Sequence, residues 1–244
     1  MIAVATVAIV AVAILVVAVV AGGHQEASSN AANAQSIAAG PHSIATPLAG
    51  RQKAQLEITT GAESVTVRSD DTGDDLYRAS TPKDGSLVPK ASINGDTVQL
   101  SLISSGAVGG AASAEIVLNS SVLWQLTLAG GGMKETVDFG SGQLSSLELS
   151  AGAGDIEITL PKAQGTLAVR LTGGAGQFKA HLAQNLPVQV KVDGAGAGVV
   201  TIDGQTRSGV KAGTEITPAA WAKATARYSI EAVVGVSALI VDRH

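Results

Sequence analysis

A glycine-rich corner between two alternating apolar strands recurs along this chain at a fixed spacing. The corners are Gly130-Gly131-Gly132, Gly152-Ala153-Gly154, Gly174-Ala175-Gly176 and Gly196-Ala197-Gly198, with first glycines 22 residues apart three times running. A fifth copy, Gly235-Val236-Ser237, follows Gly196 by 39 residues, one period plus an insertion of 17. Self-similarity at such a period means repeat architecture, in which each unit buries its apolar face only against its neighbours. The expected product is a stack of coils of about 22 residues each.

The flanking strands show how one coil meets the next. Leu147, Leu149, Ile156, Ile158 and Leu160 alternate with Glu148, Glu157 and Thr159, so a period of two puts the apolar set on one face. In the next copy Val169, Leu171, Phe178, Ala180 and Leu182 are apolar, while Arg170, Lys179 and His181 are polar. Parallel stacking in register predicts apolar ladders inside, and outward columns in which Glu148 neighbours Arg170 and Glu157 neighbours Lys179. Each exposed pair of that kind contributes about 0.2 to 1 kcal/mol.

Glycine suits these corners in two ways. It adopts positive φ without a Cβ penalty, and it leaves room where corners stack. A phosphate-cradling loop is the functional counterpart, but that needs a helix directly after the turn. Here a β-patterned segment follows each corner, and no Gly-Lys-Ser/Thr occurs.

Composition fits a thin β stack. Hydrophobic residues make up 45% of the 244, yet aromatics only 2%, so small aliphatic side chains must fill the interior and no platform for stacking bases or sugars is on offer. A net charge of −4 gives no basic footprint, which argues against nucleic acid as a partner. Absence of cysteine removes disulfides, thiolate metal sites and a cysteine nucleophile.

Residues 1–23 are of another material. Ile2 to Ala21 is interrupted only by Thr6 and is long enough to cross a hydrocarbon core of ~30 Å, so one transmembrane helix or signal anchor is expected. The alternative is a cleaved signal peptide ending near Val19-Val20-Ala21, though a basic n-region is missing. Residues 24–50 read as a flexible linker of Ala, Ser, Asn, Gly and Gln. Residues 51–244 form the expected β domain, irregular in its early copies as terminal repeats are. Within the insertion, Thr217 as N-cap and Pro218 at the first helical position predict a short helix through AAWAKATAR, with Trp221 covering a side or end of the stack.

No residue is assigned as catalytic, cofactor-binding or metal-ligating. His24, His42, His181 and His244 lack ligand partners at metal spacing, and Asp70-Asp71-Thr72-Gly73-Asp74-Asp75 lacks the alternation and distal Glu of a calcium loop. Ser104-Ser105 and Ser145-Ser146 sit in no Gly-x-Ser-x-Gly elbow, and Asn119-Ser120-Ser121 matches a glycosylation acceptor.

The phrases LSAGAGDIEITLP, LTGGAGQFKAHL and VDGAGAGVVTIDG, closed by YSIEAVVGVSALIVDRH, resemble the toast-rack or adhesin-like β-helix domains of bacterial membrane proteins. These are related to the C-terminal domain of cell-wall-active antibiotic response proteins. The resemblance spans about Leu56 to Arg243. It implies an all-β fold, a single-stranded right-handed parallel β-helix, in a cell-envelope setting, and no reaction. The reading is a non-enzymatic, single-pass membrane protein anchored through residues 2–21, its β domain extracytoplasmic. It acts as an adhesin-like or envelope-associated interaction scaffold with protein partners, without nucleic acid or a small-molecule substrate. The alternative is an envelope stress sensor that signals through the membrane segment.

Overall fold

The computed structural model describes residues 41–244, which hold 19 strands and a single 3-10 turn at Trp221–Lys223. The expected membrane segment lies outside the described residues, as does most of the linker. The first strand, β1 (Ser43–Pro47), falls inside the stretch read as linker, so β structure starts ahead of Arg51. It is followed by β2 (Lys53–Ile58), β3 (Ala62–Asp70), β4 (Asp75–Ser80), β5 (Leu87–Asn94), β6 (Thr97–Ser104) and β7 (Ser113–Asn119). The regular middle holds β8 (Leu123–Leu128), β9 (Gly132–Asp138), β10 (Gln143–Leu149), β11 (Ala153–Thr159), β12 (Thr166–Leu171) and β13 (Ala175–Leu182). The last third holds β14 (Val188–Val192), β15 (Ala197–Ile202), β16 (Gln205–Val210), β17 (Thr214–Ile216), β18 (Arg227–Ala232) and β19 (Val236–Arg243).

One sheet has ten strands, in the order β1-β4-β7-β3-β9-β11-β13-β19-β15-β16, and the other has nine, β17-β14-β18-β12-β10-β8-β2-β6-β5. Each coil is one strand from the nine-stranded sheet followed by one from the ten-stranded sheet. The coil-to-coil pairings are parallel throughout.

The coils do not stack in chain order, which corrects the expectation of a simple continuous helix. Three of them, β8–β9, β10–β11 and β12–β13, are consecutive in both sequence and space. The first coil, β2–β3, lies between β6–β7 and β8–β9. The last coil, β18–β19, lies between β12–β13 and β14–β15. Gly235-Val236-Ser237 is therefore a true copy of the corner, since Val236 is level with both Ala175 and Ala197, but it is threaded into the stack instead of ending it. The period also needs adjusting. Leu147 is level with Val169, 22 residues on, whereas Leu126 is level with Leu147, only 21 on, past an irregularity between Leu144 and Ser146.

The interior consists of ladders set by this register. Val98, Leu56, Leu126, Leu147, Val169, Ile230 and Val190 form one rung series of the nine-stranded sheet, each at most 2% exposed. The facing series of the ten-stranded sheet runs Val65, Glu135, Ile156, Phe178, Leu239 and Val200. All are buried, Glu135 included, and neither carboxylate oxygen of Glu135 has a hydrogen-bond partner among the described residues. Burial alone pushes its pKa up to about 7.

Close approach, not left-handed backbone, explains most corner glycines. A methyl at Gly154, Gly176 or Gly198 would come within 2.8, 2.6 and 2.6 Å of the carbonyl oxygens of Met133, Gly154 and Ser237 in the adjoining coil. Among the corner glycines counted in the repeat, Gly196 alone has positive φ, at +84°.

The insertion is mainly β structure, which corrects the helix expected there. Ile202 pairs with Gln205 around Asp203-Gly204, both with positive φ, and β16 runs back antiparallel along β15. This is the primed two-residue hairpin that Asp-Gly favours. Then β17 caps β14, also antiparallel. Thr217 gives its hydroxyl to Glu215 and caps no helix. Trp221 is half-buried, as a covering role requires; its Nε1 donates to the Tyr228 carbonyl at 2.8 Å and its ring lies under the Arg227 guanidinium.

Candidate interaction surface

Register dictates what the two broad faces can offer. On the nine-stranded sheet, Glu148, Arg170, Glu231, Lys191 and Glu215 stand level on successive strands, alternating in sign. Arg170 reaches Glu231 at 3.2 Å and Lys191 reaches Glu215 at 3.6 Å. On the ten-stranded sheet Glu157 is level with Lys179 as expected. Yet Glu157 binds His181, whose Nε2 is 3.0 Å away and whose Nδ1 is 2.5 Å from Asp242, while Lys179 lies 3.8 Å from Asp242. The His181 hydrogen bond holds the Glu157 carboxyl below its ordinary range. Both ring nitrogens of His181 are thus engaged by carboxylates.

Most of the other residues singled out from sequence are likewise committed to structure. Asp70 pairs with Arg68, whose guanidinium lowers its pKa, and Arg68 also reaches Glu115 at 2.8 Å. Asp75 binds Arg78 at 2.7 Å, and Asp71 accepts from the Gly73 amide at 2.8 Å. The carboxylate run is thus a turn between β3 and β4. Asn119 is buried, and its Nδ2 donates to the carbonyls of Gly73 and Asp75, which leaves the glycosylation motif without an available acceptor nitrogen. Ser105 and Ser145 donate to the carbonyls of Gly85 and Trp124, and His42 is hydrogen-bonded to Thr81. His24 lies outside the described residues.

The end of the stack formed by β14–β15 and its caps brings an apolar cleft together with an arginine unpaired among the described residues. Between β16 and β17 opens a cleft of about 590 Å³. Its floor is apolar, from Val188, Val200, Ile202 and Ile216. Asp203 and Arg243 on its wall neutralise each other through two bonds of 2.8 and 3.0 Å, and Glu215 is held by Gln189 and Thr217. Arg207 is different. It pairs with Val200 in register, so its side chain stands on the inner face of β16 over the floor, and it has no hydrogen-bond or ion-pair partner among the described residues. Sequence reasoning passed over this strand because the helix signals at Thr217-Pro218 dominated; Asp203-Gly204 between β-patterned residues was the available sign.

No curated protein matches the chain in sequence. In structure it is similar to a candidate cell adhesion protein from Clostridium sporogenes, with a TM-score of 0.61 at 16% identity, over 83% of this chain and 98% of that one. A candidate adhesin from Bacteroides fragilis aligns over 82% of this chain and 99% of its own at 11% identity, but its TM-score of 0.27 carries no weight for the fold. Residues 27–181 match the N-terminal domain of toast_rack, DUF2154, which is more than half of the chain. With its glycine corners stacked coil on coil and its interior built of parallel ladders, the chain belongs to the toast_rack family.

Proposed function

We propose that this chain is a membrane-tethered scaffold of the cell envelope that works by contact, in the manner of an adhesin, without catalysis. The carrying observation is where reactive and charged groups lie. Several charges on both broad faces are engaged in coil-to-coil pairs, and Arg207, without a partner among the described residues, stands beside the exposed backbone of β16 at one end of the stack. Such a layout favours binding an extended surface over holding and converting a small substrate. The description of the Clostridium relative as a candidate cell adhesion protein points the same way. Residues 2–21 are the proposed anchor, with the β domain outside the cytoplasm.

Protease added to intact cells tests the placement. Release of a fragment beginning ahead of Ser43, where β structure starts, is expected, together with loss of cell attachment to a partner-coated surface. Protection in intact cells, with cleavage only after lysis, would put the β domain inside and overturn the adhesive reading in favour of signalling through the membrane segment.

A further inference from the structure

Four strands end the two sheets, and they are not equivalent. An open strand edge is a template for another chain, and proteins blunt it with proline, lysine, shortness or an inward-pointing charge. At one end β1 contains Pro47 and β5 contains Pro89 and Lys90. At the other, β17 is three residues long and is followed closely by Pro218. Only β16 has six residues with neither proline nor lysine, and five of the six are exposed; its inward charge, Arg207, bars an apolar strand and leaves an acidic one admissible.

Its backbone is also set for pairing. In a two-residue hairpin the flanking residues, here Ile202 and Gln205, form the hydrogen-bonded pair, and the pattern then alternates. Arg207 therefore bonds back to Val200, while Thr206 and Ser208 direct their N–H and C=O groups to the open side. The inward side chains of a strand added there would lie over Arg207 and enter the apolar cleft.

We infer that β16 is a strand-addition edge for an extended acidic polypeptide, its main chain paired to Thr206 and Ser208 and its inward carboxylate set against Arg207. The partner's charge follows from Arg207 and from Lys211 just beyond the strand, neither of which has a side-chain partner among the described residues. A second copy of this chain fits less well. Two β16 strands paired about their centres bring two unneutralised Arg207 side chains together, and the opposite end of the stack presents Lys90. The inference rests on the contact reading above and names the partner for it.

The test uses the full-length protein in detergent with two fluorescent eight-residue peptides, one alternating Glu and Val, the other Lys and Val. Anisotropy should show the Glu peptide binding about tenfold or more tightly than the Lys peptide, and weakening with salt. Arg207→Glu should reverse that preference. Thr206→Pro should remove binding, and N-methylation of alternate amides of the Glu peptide should do the same without altering the protein. Equal affinity for both peptides, binding indifferent to N-methylation, or no binding by protein with a β-type far-ultraviolet spectrum would overturn the inference. So would dimerisation abolished by Thr206→Pro, which would make a second copy the occupant. If cells still attach to the partner-coated surface while both peptides fail, only the acidic-strand inference falls; if attachment itself is absent, the contact reading falls.

Discussion

Glu135 is the residue most at odds with its surroundings. Its register neighbours Val65 and Ile156 are apolar, and no donor among the described residues meets its carboxylate. Burial raises its folded pKa to about 7, above the unfolded value, so the folded state retains a proton that the unfolded state releases first. Its effect on stability is therefore absent below the unfolded carboxylate range, grows unfavourable as pH rises from about 4.5, and levels off above about 7. The full loss is about 3 kcal/mol. Melts of Glu135→Gln should lack that decline between these pH values, and Glu135→Leu should be more stable than the parent at pH 8; an unchanged pH profile in Glu135→Gln would refute the assignment. Glycines give a second test at this scale. A methyl on Gly176 would meet the Gly154 carbonyl at 2.6 Å, whereas one on Gly174 would find the Gly235 carbonyl at 3.6 Å, an ordinary contact. Gly176→Ala should destabilise by about 1 to 3 kcal/mol and Gly174→Ala by much less. Equal shifts in the two melts would mean that the stacking distance does not limit these corners.

Strands and turns carry the next level. The turn between β3 and β4 is tied to the end of β7 by Asn119, which donates to Gly73 and Asp75 and accepts from the Ser121 amide. Because Asn119 is buried, Asn119→Ala takes the donor from the Gly73 carbonyl, while the Asp75 carbonyl keeps the Thr72 hydroxyl, and should cost about 1 to 3 kcal/mol. Arg170→Gln removes one exposed pair with Glu231 and should cost no more than about 1 kcal/mol. Urea titration of both variants ranks the two effects, and a larger loss for Arg170→Gln would reverse the relative importance assigned to turn and ladder. In the ladders themselves, Phe178 is fully buried, so Phe178→Ala belongs with the large cavity-forming changes at about 3 to 5 kcal/mol.

At the scale of the whole molecule, the interleaved ends decide how the stack unfolds. In a linear solenoid each terminal coil has one neighbour and can fray. Here β2–β3 and β18–β19 each have a coil on both sides, so neither can leave without opening two interfaces. Unfolding should accordingly be a single cooperative transition, with fluorescence and circular dichroism coincident. Deleting Arg227–His244 would leave β12–β13 and β14–β15 facing an empty slot, and a chain so shortened should lose its cooperative melt. A shortened chain that melts within a few degrees of the parent would contradict the observed coil order.

Alternation and glycine spacing in the sequence were enough to determine the repeat strands, their inward faces, the parallel register that sets Glu148 beside Arg170 and Glu157 beside Lys179, and the family. These are local properties, because a period of two fixes each side chain's face and a recurring corner fixes which residues come level. Coil order was not legible. The corner at Gly235 fits equally well beyond Gly196 or between Gly174 and Gly196, and only the paths through β16, β17 and the Trp221 turn bring it to the inner slot. For the same reason the sequence shows Arg207 as one polar residue among several. Tertiary pairing with Val200 places it on an inward face at an open edge, where no further strand among the described residues covers it.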